Sequence, residues 1–138
     1  MPDKSRYYDP LRRRWVAASP EEKVRQWFIG VLSGQCLVPE HMMMSEVPMK
    51  YGEKQWRADI VVYSVTGKPL AITECKRPEV PIGGNAAEQA LRYHAVQDVR
   101  YIFLTNGKST YAFCRDGDAF TMMKELPTYS QMNSQCPL

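Results

Sequence analysis

At 138 residues the chain has room for one domain with one core and too little for two. Apolar residues at 44% and charged residues at 24% exclude a disordered chain, and no run approaches the ~18 apolar residues of a membrane span. The net charge of +3 permits a polyanionic partner without requiring one, because a basic footprint depends on clustering.

Residues 1–18 read as an irregular arm, with Tyr7, Tyr8, Leu11, Trp15 and Val16 able to dock on a core. Arg12-Arg13-Arg14 is the densest basic run and reads as solvated. No apolar leader follows Met1, so a cytoplasmic location is the expectation. With it go four reduced cysteines (Cys36, Cys75, Cys114, Cys136), which lack the close pairs of a zinc site.

Ser19-Pro20-Glu21-Glu22 predicts a helix start, with Ser19 as N-cap and Glu22 closing a capping box. Val24, Trp27, Phe28, Val31 and Leu32 give its apolar stripe, and Gly34 suits its C-cap. From residue 42 to 77 the pattern becomes β: Met42 to Tyr51, Trp56 to Tyr63 and Leu70 to Cys75, divided by turn residues. A loop rich in Pro and Gly leads to a second helix, about Ala86 to Gln97, capped by Asn85. Strands follow at Tyr101 to Thr105 and Tyr111 to Arg115. The expected core spans 19–121, with a loosely held polar tail over 125–138. Strands on both sides of a crossover helix predict an α/β fold with a mixed sheet, in the order α-β-β-β-α-β-β.

The chemically informative residues are Asp59 on one strand and Glu74 and Lys76 on the next. If Thr66 and Gly67 are the central turn residues, Val65 pairs with Lys68, Tyr63 with Leu70 and Asp59 with Glu74. Opposed residues have Cβ atoms ~4.5–5.5 Å apart, so two carboxylates would stand side by side, with Lys76 on the same face. A longer turn beginning at Ser64 would shift this register by one. A hard divalent cation relieves such a carboxylate pair, and a neighbouring lysine can orient water or stabilise charge on a phosphate. The same residues could instead cross-pair with Arg57 on a solvated face. Asn106-Gly107-Lys108-Ser109 contains the GKS of a P-loop, but Ile102 occupies the position of its first glycine.

The segments YDPLRRRWV, SPEEKVRQW, RADIVVYSVTGKPLAITECKRP, EQALRYHA and YIFLTNG occur in this order over about residues 7 to 115. Together they resemble the N-terminal nuclease domain of type I restriction enzyme R subunits and small stand-alone proteins of that PD-(D/E)xK kind. The resemblance implies a restriction-endonuclease-like fold, a mixed central sheet flanked by helices with core order αβββαβ. It implies Asp59 and Glu74 as ligands of Mg2+ or Mn2+ and Lys76 as the catalytic lysine, although Ala58 replaces the superfamily's proline. Gln89 and Tyr93 match a Q-x-x-x-Y element associated with DNA, and Glu21 is a candidate for a further glutamate from the first helix. The implied activity is endonucleolytic hydrolysis of DNA, beside motor or specificity subunits encoded separately. The alternative is a non-catalytic DNA-binding or accessory module. Oligomer formation is left open.

Overall fold

The computed structural model describes residues 5–51, 53–84, 88, 99–117 and 119–134. Two strands open the chain, β1 (Arg6–Asp9) and β2 (Arg14–Ala17), paired as an antiparallel hairpin. The arm is therefore ordered, contrary to its irregular sequence, and Arg12 explains why. Its guanidinium binds the fully buried carboxylate of Asp9 and, at 2.7 Å, that of Glu22 in the following helix. Arg12 is thus a tie between hairpin and helix; of the basic run, Arg13 and Arg14 are the exposed members.

Helix α1 runs Pro20–Gly34, with Gln35 as its C-cap. The Ser19 hydroxyl accepts the Glu22 N–H as expected, but the reciprocal half of the capping box is absent: the Glu22 carboxylate turns to Arg12, Arg25 and Gln26. The buried stripe is Val24, Arg25, Phe28, Ile29 and Leu32, while Trp27 remains 47% exposed. A short 3-10 turn (Glu40–Met42) leads to β3 (Met43–Tyr51), followed by β4 (Lys54–Tyr63), β5 (Pro69–Cys75), β6 (Tyr101–Thr105), β7 (Thr110–Asp116) and β8 (Ala119–Met123). These form one six-stranded sheet in the order β3-β4-β5-β6-β7-β8. All neighbours are antiparallel except β5 and β6, which are parallel. The parallel pair requires a crossover between its strands. Glu88, whose N–H donates to the Gly84 carbonyl, lies within it; the other residues assigned to the second helix, 86–87 and 89–97, lie outside the described residues.

One face of the sheet packs Ile60, Val62, Ala71, Tyr101 and Phe103 against Val24, Phe28 and Leu32 of α1. The other face carries Ala58, Val61, Ile72, Val99 and Ile102, extended by Ile82, Leu104 and Phe113. Up to Ser134 the segment expected as a loose tail from residue 125 is instead ordered. β8 closes the sheet, and a short helix, α2 (Tyr129–Asn133), is capped by a Thr128–Gln131 capping box. Met132 is fully buried, and the Tyr129 hydroxyl donates to the Tyr63 carbonyl at 2.7 Å. Cys36 and Cys75 are free and buried, but Cys114 is disulfide-bonded, so the expectation of four reduced cysteines fails there.

Candidate active site

The β4–β5 connection decides where the two acidic residues meet. Its turn begins at Ser64, whose N–H donates to the Lys68 carbonyl, while Ser64 Oγ accepts from Thr66 and Lys68. Gly67, at φ 85°, occupies the left-handed position that a residue without Cβ adopts at little cost. Tyr63 consequently pairs with Pro69 rather than Leu70. A bulge between Val62 and Tyr63 then takes up one residue, giving Val62↔Ala71, Val61↔Ile72 and Ile60↔Thr73. The paired rungs end there, one step short of Asp59 and Glu74. The longer turn and the bulge cancel, so the counted register holds over Ile60, Val61 and Val62.

The strand is irregular at this point. Ser45↔Ile60 and Val47↔Ala58 flank a rung that does not pair, formed by Glu46 and Asp59. Glu46 has φ 56°, a conformation costing a non-glycine residue ~1–2 kcal/mol. The alternation of faces also slips here: Ile60 and Val62 pack toward α1, but Ala58 packs with Val61 on the opposite face. Asp59 sits at that twist. Its Oδ2 accepts the Cys75 N–H at 2.7 Å, which ties it directly to the end of β5.

Arg25 is the residue that sequence reasoning missed. It is 5% exposed and reaches from α1 into the irregular rung. One terminal nitrogen donates to Ser45 Oγ at 3.0 Å and to the Asp59 carbonyl at 3.3 Å; the other lies 2.5 Å from Glu46 and 3.8 Å from Asp59 Oδ1. Its Nε stands 3.2 Å from Glu22. Burial works against its charge, but Glu46, Glu22 and Asp59 outweigh burial, and its pKa is raised. The signal was present in the sequence: Arg25 lies three, four and seven residues before Phe28, Ile29 and Leu32, so a cation occupies the buried stripe and demands buried acids.

Burial pushes the carboxyl of Asp59 up to about 6; the Cys75 N–H and Arg25 pull it down, and the charges of Glu21 and Glu74 raise it further. Glu21, although exposed at the start of α1, is therefore close enough for its charge to be felt at Asp59. Lys76 is exposed one residue past β5, and its N–H donates to the Thr105 carbonyl at 2.8 Å. Gln89 and Tyr93 lie outside the described residues. Among the described residues, no group of three or more His, Cys, Asp or Glu is set to hold a metal ion. Two carboxylates with waters are nonetheless an ordinary magnesium donor set, and the mutual repulsion around Asp59 is what a cation would relieve. At the GKS sequence, Asn106 Oδ1 accepts the N–H groups of Lys108 and Ser109, a side-chain-closed turn rather than a phosphate cradle.

Residues 20–127 match the family described as type I restriction enzyme R protein N terminus (HSDR_N), and the chain belongs to that family. A structure assigned as a fragment of an HsdR subunit of a type I restriction enzyme from Vibrio vulnificus YJ016 superposes with a TM-score of 0.60 at 17% identity over 81% of this chain. The match covers 24% of that fragment, so the present chain spans about a quarter of its length. A protein assigned as a DUF820 nuclease from Anabaena variabilis ATCC 29413 superposes at 0.51 and 10% identity, over 97% of this chain and 93% of its own. The fold is restriction-endonuclease-like. No curated protein matches the sequence.

Proposed function

We propose that the chain is a nuclease module that hydrolyses DNA phosphodiesters with Mg2+ or Mn2+ held by Asp59 and Glu74, acting in the cytoplasm beside motor or specificity subunits encoded elsewhere. The observation that supports this reading is the hydrogen bond from the Cys75 N–H to Asp59 Oδ2, which ties Asp59 to the end of β5 between Glu74 and Lys76. When bound, the ion polarises a phosphoryl oxygen and lowers the pKa of water. Asp59 is oriented for that task by the Cys75 N–H and by Arg25. On this reading Lys76, exposed at the strand end, orients water or stabilises charge on the phosphorus-bound oxygens. Hydrolysis forms one P–O bond from water, breaks one ester P–O bond and delivers a proton to the departing alkoxide.

The second reading, a non-catalytic DNA-binding or accessory module, is favoured by Arg25, which supplies Asp59 with a positive charge without any metal. One experiment separates them: supercoiled, linear and single-stranded DNA incubated with magnesium, manganese or chelator, using wild type and Asp59→Ala. Metal-dependent cleavage lost in Asp59→Ala supports the nuclease. DNA binding with no cleavage under any metal assigns the accessory role.

A further inference from the structure

We propose that the far end of the β3–β4 hairpin is the track along which a DNA backbone approaches Asp59, with Lys50, Gln55 and Arg57 donating to its phosphates; this rests on the DNA-directed reading above. A hollow of about 470 Å³ lies there, lined by Pro48, Met49, Lys50, Gln55, Trp56 and Arg57. The rungs Pro48↔Arg57, Met49↔Trp56 and Lys50↔Gln55 alternate between faces, so Lys50, Gln55 and Arg57 share one. Lys50 and Arg57 are diagonal neighbours across the two strands, a separation of ~7–8 Å. All three side chains are exposed, Arg57 to 69%, and its ion pair with Glu46 is a loose 3.8 Å. Two long cations with an amide between them form a donor set for phosphodiester oxygens. Glu53, at the hairpin tip, is the exposed acid on this end.

The position matters as much as the chemistry. Arg57 precedes Asp59 by two residues on the same strand, and Gln55 by four, about 14 Å at strand rise. That length is enough to meet successive phosphates along one DNA strand. β3 is an edge of the sheet, the place where a peptide could add as a further strand. Pro48 removes one N–H from that edge, and the φ of 56° at Glu46 breaks its line. An extended peptide is therefore a poor occupant, whereas a phosphate backbone needs side-chain donors only.

The test measures fluorescence anisotropy of a fluorescein-labelled duplex in chelator between 50 and 200 mM salt. Three proteins are compared: wild type, Lys50→Ala/Arg57→Ala, and a control of equal net charge, Lys23→Ala/Lys68→Ala, altered at exposed positions away from the hairpin end. Loss of two phosphate contacts should flatten the slope of log K against log salt by about 1.8 and weaken binding roughly 10- to 100-fold at 0.1 M salt, beyond any effect in the control. Equal behaviour of the two double variants overturns the track, and the nuclease reading survives if wild type still cuts with metal. Wild type that neither binds nor cuts DNA overturns both.

Discussion

Asp59 carries a conflict between chemistry and folding. Burial and the charges of Glu21 and Glu74 hold its carboxyl at about 6, against an ordinary value of 3.8. Between those values the folded protein binds a proton that the unfolded chain has lost, so this group favours folding below about pH 4 and increasingly opposes it as pH rises through 6. Asp59→Asn should therefore stabilise the metal-free protein at pH 7.5 by about 1–3 kcal/mol, and the gain should vanish by about pH 4. Thermal melts in chelator across that range check it; a lower melting temperature for the variant at pH 7.5 would mean that Arg25 needs the charge more than burial penalises it. Magnesium affinity should fall in parallel below about pH 6, since a ligand carboxylate must be ionised. Lys76→Met asks a separate question. Removing one positioned electrostatic donor lowers rate by ~10²–10³, and methionine keeps most of the apolar stem. The variant should fold, bind magnesium and bind DNA, yet cleave slowly; a wild-type rate would remove Lys76 from the chemistry.

Among the elements, the sequence concealed the edge strand β8, the hairpin β1–β2 and the helix α2, of which the last two are the instructive ones. Both depend on distant partners: Arg12 on Glu22, and α2 on Cys36, Tyr63 and Arg100, whose groups bond to Tyr129 N–H, Tyr129 hydroxyl and the Met132 carbonyl. No local periodicity announces such contacts. The central strands and α1 were legible because alternation, turn residues and the Ser19-Pro20 start are local signals. Arg12→Met should leave Asp9 and Glu22 as buried acids without their shared cation, at a cost of about 3–5 kcal/mol in urea unfolding. Arg14→Ala, at an exposed position, should change stability by no more than about 0.5 kcal/mol. For α2, Met132→Ala should cost about 2–5 kcal/mol, since that side chain is fully enclosed. A loss below 1 kcal/mol would show that the end of the chain is not part of the cooperative unit.

For the molecule as a whole, a hairpin count singled out Asp59, Glu74 and Lys76 but overlooked Arg25 and Glu46, which meet Asp59 only when α1 crosses the sheet and β3 lies alongside. The counted turn itself was one residue short, and only the compensating bulge restored the counted register at Ile60, Val61 and Val62. With the GKS segment closed on Asn106, millimolar ATP should leave the melting temperature unchanged; a rise would reveal a nucleotide site elsewhere. The strand order of the large sheet has a consequence for synthesis. Its six strands lie side by side in the same order as they occur in the chain. Each strand is added at one growing edge, and none must be threaded between two already joined. A ribosome delivers the chain in that direction, so α1, β3, β4 and β5 can assemble while residues beyond 76 are still being translated; three strands packed on a helix suffice for a first stable unit. Asp59 would then already be held by the Cys75 N–H on a nascent chain that does not yet include β6. Arrest-peptide force measurements along the chain should register one pull as β5 leaves the exit tunnel and another as β6 follows.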